Sequence, residues 1–108
     1  MIFISSPYSH SDDSIRQKNF EIVSKLAARL CSEGKVAISP ITYGHTLLEY
    51  ENMPGDWDFW KNFCLSILIK CEEMIVYKMP GWDKSTGVAE EIKFAKENNI
   101  KITYFDYD

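Results

Sequence analysis

Glycine is too sparse and too scattered in this chain to build a phosphate-cradling loop. Its five glycines in 108 residues form neither a Gly-x-Gly-x-x-Gly run nor a Gly-x-x-x-x-Gly-Lys-Ser/Thr run. A conventional dinucleotide fingerprint and a P-loop NTPase are thereby excluded. Cysteine is equally limited. Cys31, Cys64 and Cys71 are odd in number and widely spaced, which fits neither a zinc-ligand pattern nor a disulfide framework, so reduced thiols in a cytoplasmic protein are expected. Two histidines and scattered carboxylates give no recognised metal spacing, and neither a metal nor another cofactor is expected.

Positive charge is in deficit. Twelve Lys and Arg against sixteen Asp and Glu leave a formal net charge of -4, which removes any general electrostatic reason to bind a nucleic acid polymer or an anionic membrane. No segment approaches transmembrane length, and the opening Met1-Ile-Phe-Ile4 has no basic leader before it turns polar, so no membrane partner is expected. A single anionic nucleotide is a different matter, because loop amides and a helix N-terminus act locally against the net charge.

What the chain does have is apolar material. Hydrophobic residues make up 45% and aromatics 14%, enough to favour a folded globule, and the length suits one core rather than two, so residues 1–108 read as a single domain. Ile2-Phe-Ile4 predicts a strand buried on both faces that delivers Ser5-Ser-Pro-Tyr-Ser-His10 to the carboxyl edge of a parallel sheet. Ser5 and Ser6 offer hydroxyls there, and Tyr8 offers a ring and a phenol. A capped turn with a tyrosine covering the core is the equal alternative.

Phe20, Val23, Ala27 and Leu30 recur at helical spacing, predicting a helix over 15–33 with Gly34 as its cap. A short strand over 35–39 follows, limited by Pro40. The stretch 41–54 has no clean period and reads as a long loop able to cover a pocket, with room for a fifth strand between Gly44 and Glu51. His45 within it is either a substrate donor and proton shuttle or a neutral structural histidine. Asp56 caps a helix reaching Cys71 whose Trp57 and Trp60 either stack on a base or make sheet and subunit contacts. The apolar surplus of that helix points to a homodimer or higher homo-oligomer.

Met74-Ile-Val-Tyr77 predicts the third strand, ended by Pro80-Gly81. Ser85 or Thr86 then caps a helix reaching Glu97 or Asn98, and 101–105 supplies a last strand. The alternation of strands and helices predicts an α/β fold, a four- or five-stranded mainly parallel sheet with helices on both faces. Within Ser85-Thr-Gly-Val-Ala-Glu-Glu91, amides near Gly87 suit a phosphate. Glu91 sits near the helix start, where the helix field is expected to keep it ionised and fit to attack or stabilise an anomeric carbon. Glu90 and Glu91 as mere first-turn charges are the competing reading.

Four motifs, Ile2-Phe-Ile-Ser-Ser-Pro-Tyr8, Gly34-Lys-Val-Ala-Ile-Ser-Pro40, Gly55-Asp-Trp-Asp-Phe-Trp60 and Ser85-Thr-Gly-Val-Ala-Glu-Glu-Ile92, cover nearly the whole chain in order. Together they resemble the nucleoside 2-deoxyribosyltransferase superfamily, nearest to its small nucleoside 5'-monophosphate N-glycosidases. The resemblance implies a Rossmann-like three-layer αβα domain, a homo-oligomer, a nucleoside or nucleotide substrate, Glu91 as nucleophile and Ser85 as a phosphate contact. Ser6 and Tyr8 fall in the loop where relatives contact sugar, phosphate or nucleophile. One departure is chemical: Cys64-Leu-Ser-Ile-Leu68 stands where many relatives have Asp-Leu-x-x-Leu, which leaves Asp56 or Asp58 to compensate, another acid to assist base departure, or catalysis to be lost.

The expected catalytic set is therefore Glu91, Tyr8 and Asp58, and the expected substrate contacts are Ser5, Ser6, Pro7, His45, Trp57, Ser85, Thr86 and Gly87. The expected activity is hydrolysis of a base-sugar bond. The alternatives are a catalytically impaired nucleotide-derivative binder or a deoxyribosyltransferase, with a structural interaction protein as a third class.

Overall fold

A computed structural model describes residues 1–107. The elements run β1 (Ile2–Ser5), α1 (Asp13–Ser32), β2 (Ala37–Ile38), α2 (Pro40–Leu47), α3 (Trp57–Leu68), β3 (Glu73–Lys78), α4 (Thr86–Glu97) and β4 (Lys101–Asp106), with a 3-10 turn at Trp82–Lys84 before α4. The four strands form one parallel sheet in the order β2-β1-β3-β4. The chain thus moves outward from β1 to β2, returns across β1 to β3 and continues to β4. Right-handed crossovers taken in opposite directions place their helices on opposite faces, which gives three layers.

The side chains obey that division. Phe3, Met74 and Val76 point into a core with Cys64 and Leu68 of α3 and Val88 and Ala95 of α4. Ile4 and Ile75, their alternates along the strands, pack with Val23, Leu26 and Leu30 of α1 on the other face. Both faces of β1 and β3 are covered, which explains their continuous apolar runs. Together these features make the chain a Rossmann-like αβα domain. No helix among the described residues is long and apolar enough to cross a membrane.

Local signals set the boundaries. Asp12 accepts the Ser14 amide at 2.8 Å and starts α1, while Gly34, at φ +85°, takes the left-handed turn just past its end. Two expectations fail between 35 and 54. Ser39 leaves the second strand and caps α2, accepting the Thr42 amide at 3.2 Å, and Pro40 starts that helix rather than a loop. Consequently β2 is two residues long, α2 occupies part of the predicted loop, and no fifth strand exists among the described residues. Asp56 caps α3 as expected, but the helix ends at Leu68 and Cys71 reaches the core from the following turn.

Candidate active site

Strand order reverses between β1 and β3, so the segments leaving their carboxyl ends diverge and open a crevice. A cavity of about 430 Å³ lies there. Ile4, Ser6 and Tyr8 line it from β1 and its loop, and Pro40, Ile41 and His45 from α2. α3 and the start of α4 close the other side with Trp57, Trp60, Cys64, Ser85 and Gly87.

Glu91 forms the floor. The inward row of α4 is Val88, Glu91 and Ala95, spaced three and four apart, so a carboxyl occupies a position where an apolar side chain would complete the core. Only 5% of Glu91 is exposed. Ser5 Oγ donates to Glu91 Oε1 at 2.6 Å, and the Cys64 thiol also hydrogen-bonds the carboxyl. Burial outweighs both bonds and raises the Glu91 pKa from 4.5 to about 8. The expected ionised state at neutral pH is therefore corrected. Glu91 lies in the second turn of α4, beyond the reach of the helix-end field, and desolvation decides its charge.

The same environment acts on Cys64. Burial, then the neighbouring Glu91 carboxylate, pushes its thiol up to about 12, so it remains an S–H donor. Glu90, one residue earlier, faces outward. It is bonded to Lys61 Nζ at 3.0 Å and to Trp57 Nε1 at 2.8 Å, contacts that hold its carboxyl below the usual range. The adjacent glutamates thus have opposite surroundings and opposite shifts.

At the β1 side, Tyr8 Oη lies 2.7 Å from His45 Nδ1 rather than on the nucleophile candidate. His45 Nε2 is 3.0 Å from Gln17 Oε1, and the imidazole stacks on Phe20 with centroids 4.1 Å apart. Ser6 is buried and its Oγ has no hydrogen-bond partner among the described residues. A buried hydroxyl left this way costs about 1–3 kcal/mol until something bonds it.

Residues 1–107 match the family model described as a domain of unknown function, DUF1937. The chain belongs to the DUF1937 family. No curated protein matches it.

Around the rim of this DUF1937 cavity, Ser85 caps α4 by accepting the Val88 amide at 3.2 Å. Thr86 and Gly87 place first-turn amides at the wall, and Lys84 adds a positive charge. A Cβ on Gly87 would lie 3.1 Å from Trp57 Cε3, so the glycine permits the indole to close over the helix start. Asp58 is exposed at the mouth, and Asp56 is occupied with its cap. Pro7 is buried and does not line the cavity, while Ser5 acts from below through Glu91. Arg16 is paired with Asp13 and the His10 carbonyl.

Sequence reasoning missed Gln17, Phe20 and Lys61 in the DUF1937 site. On α1, Gln17 lies three residues before Phe20 and four before Glu21, a visible helical pattern, but the target of Gln17 and Phe20, His45, falls in a stretch whose sequence shows no clean period. Lys61 and Trp57 follow one another by four residues on α3, which marks a shared face without naming Glu90 as its partner.

Proposed function

We propose that this protein hydrolyses the base-sugar bond of a nucleoside or (deoxy)nucleoside 5'-monophosphate with Glu91 as nucleophile. The observation that carries the reading is the Glu91 carboxyl on the floor of a cavity at the strand switch, aligned by Ser5 at 2.6 Å. A cavity of this size suits one small ligand. In the proposed reaction the Glu91 carboxylate forms a bond to C1' as the C1'–N bond breaks, and the departing base takes a proton from solvent or an acid at the mouth such as Asp58. Water then adds at C1', the glycosyl ester breaks, and Glu91 is regenerated. The first-turn amides of α4, with Ser85 and Lys84, suit the 5'-phosphate.

Cys64 favours a second reading, a nucleotide-derivative binder. A neutral thiol faces Glu91 where the resembling enzymes have a carboxylate, and a protonated Glu91 serves as a hydrogen-bond donor to a ligand. Transfer to a second base would share the first step of the hydrolysis. Chromatography of free base from a panel of ribo- and deoxyribonucleoside monophosphates separates these readings. Base release that disappears in Glu91→Gln supports hydrolysis; calorimetric binding without release supports the binder, and unchanged release in Glu91→Gln removes the nucleophile.

Self-association belongs to the same proposal. Tyr43 and Phe59 are about half exposed and Ile69 is 45% exposed, an apolar surplus on α2 and α3 that a second copy would cover. Light scattering on the purified chain tests it, and a monomer at high micromolar concentration would remove it.

A further inference from the structure

The contacts of Tyr8 have a direction. We infer that a chain of hydrogen bonds through Glu21, Gln17 and His45 fixes the Tyr8 phenol as a hydrogen-bond acceptor toward the cavity, so that this wall selects an occupant bearing a hydroxyl. In the nucleotide reading, on which the identity of that hydroxyl rests, it belongs to the sugar.

The direction follows from which atoms can only give and which can only receive. Gln17 Nε2 lies 2.9 Å from Glu21 Oε2. A carboxylate only accepts, so the amide nitrogen faces it and the amide oxygen is turned the other way. That oxygen is 3.0 Å from His45 Nε2 and also only accepts, so Nε2 carries the imidazole hydrogen. Neutral imidazole then presents a bare Nδ1. Tyr8 Oη, 2.7 Å away, spends its hydrogen there.

A phenol whose hydrogen is committed offers only its lone pairs to a newcomer. Both Tyr8 and His45 line the cavity, so those lone pairs are available at its wall. Phe20, stacked on the imidazole at an interplanar angle of 21°, holds the ring plane that keeps Nδ1 aimed at the phenol. Asn19 reaches the Tyr8 carbonyl at 3.5 Å, so α1 contacts both partners. Ser6 lines the same cavity, and its hydroxyl, without a partner among the described residues, has a hydrogen to give. The two are thus complementary to a ligand that carries both a hydroxyl donor and an oxygen acceptor, as a sugar does. Gln17 is a positioning residue in this arrangement, and Tyr8 is the contact.

Two measurements on the full chain test it. Long-range ¹H–¹⁵N spectra of the His45 ring above neutral pH should show Nε2 protonated and Nδ1 bare, with Gln17→Leu giving a mixture of tautomers. Hydrogen on Nδ1 in the unsubstituted protein would overturn the inference whatever the ligand. D-ribose 5-phosphate, adenosine monophosphate and its 2'-deoxy, 3'-deoxy and 2',3'-dideoxy forms are then titrated. Loss of the contacted hydroxyl should weaken binding about tenfold in the unsubstituted protein and less than about twofold in Tyr8→Phe. Equal affinities across the analogues would overturn the inference while leaving nucleotide hydrolysis standing. Tyr8-dependent binding of D-ribose 5-phosphate, with no base released from any nucleoside monophosphate of the panel, would sustain it and remove the hydrolase. No binding by any probe would overturn both.

Discussion

Ser5 Oγ meets Glu91 Oε1 at 2.6 Å, joining the end of the first strand to the second turn of the last helix across 86 positions of sequence. The contact aligns a carboxyl that burial keeps protonated to about pH 8, and this sets both a stability profile and a rate profile.

The stability profile runs downward with pH. Below pH 4.5 folded and unfolded chains both hold the Glu91 proton, so the full stability is present. Between 4.5 and about 8 only the folded chain holds it, and stability falls by about 1.4 kcal/mol per pH unit from this group. Above about 8 the contribution is lost. Urea unfolding at intervals from pH 4.5 to 8 should show this slope, and Glu91→Gln should flatten it. The same slope in the variant would place its origin elsewhere.

The rate profile runs upward. A nucleophile works only when ionised, and at pH 7 about a tenth of Glu91 carries charge. Under the hydrolase proposal kcat/KM should rise nearly tenfold per unit toward an inflection near pH 8, and Glu91→Gln should lower kcat by at least about 10³-fold. A rate independent of pH between 5.5 and 8 would contradict the assignment of Glu91.

Thiol chemistry should rank the cysteines by exposure. Cys31 is exposed, whereas Cys64 and Cys71 are buried and their thiols are raised, Cys64 to about 12. Iodoacetamide at pH 7.5 should label Cys31 first, with Cys64 and Cys71 reacting only after urea is added. Mass spectrometry of peptides decides the order, and rapid labelling of Cys64 in the folded chain would show that its contact with Glu91 is open to solvent.

Gly87→Ala should disturb the rim. The added carbon lies 3.1 Å from the Trp57 ring, which is held on its far side by Glu90 at 2.8 Å and has to shift by a few tenths of an ångström. A loss of about 1 kcal/mol and a Tm lower by roughly 4 °C are expected, with altered tryptophan fluorescence. An unchanged Tm would mean that the indole yields freely.

Much of the fold was legible because its signals are local. Asp12, Asp56 and Ser85 each precede a helical period and each accepts an amide in its first turn. The buried runs of β1 and β3 announced a parallel sheet. Pro40 reads as the end of a strand, and its other meaning, the first residue of a helix after a serine cap, depends on a period that Tyr43, Gly44 and His45 blur. Which residues would gather around the candidate cavity was largely legible, and how they connect was not. Glu91 stands out in the sequence, but its charge depends on how completely the fold buries it beside Ser5 and Cys64, which one-dimensional spacing does not contain. Likewise Tyr8 and His45 each stand out in the sequence, and only the packing of α2 on α1 makes them partners.

Glu91 also occupies a place in the row between Val88 and Ala95 that leucine or methionine would fill without a desolvation cost. Selection of variants for heat resistance alone should therefore accumulate apolar replacements at this position early, and each gain would erase the cavity floor. A library screened for both properties would retain the glutamate and find its gains on the exposed faces instead, so the composition recovered at one codon would report which pressure had acted.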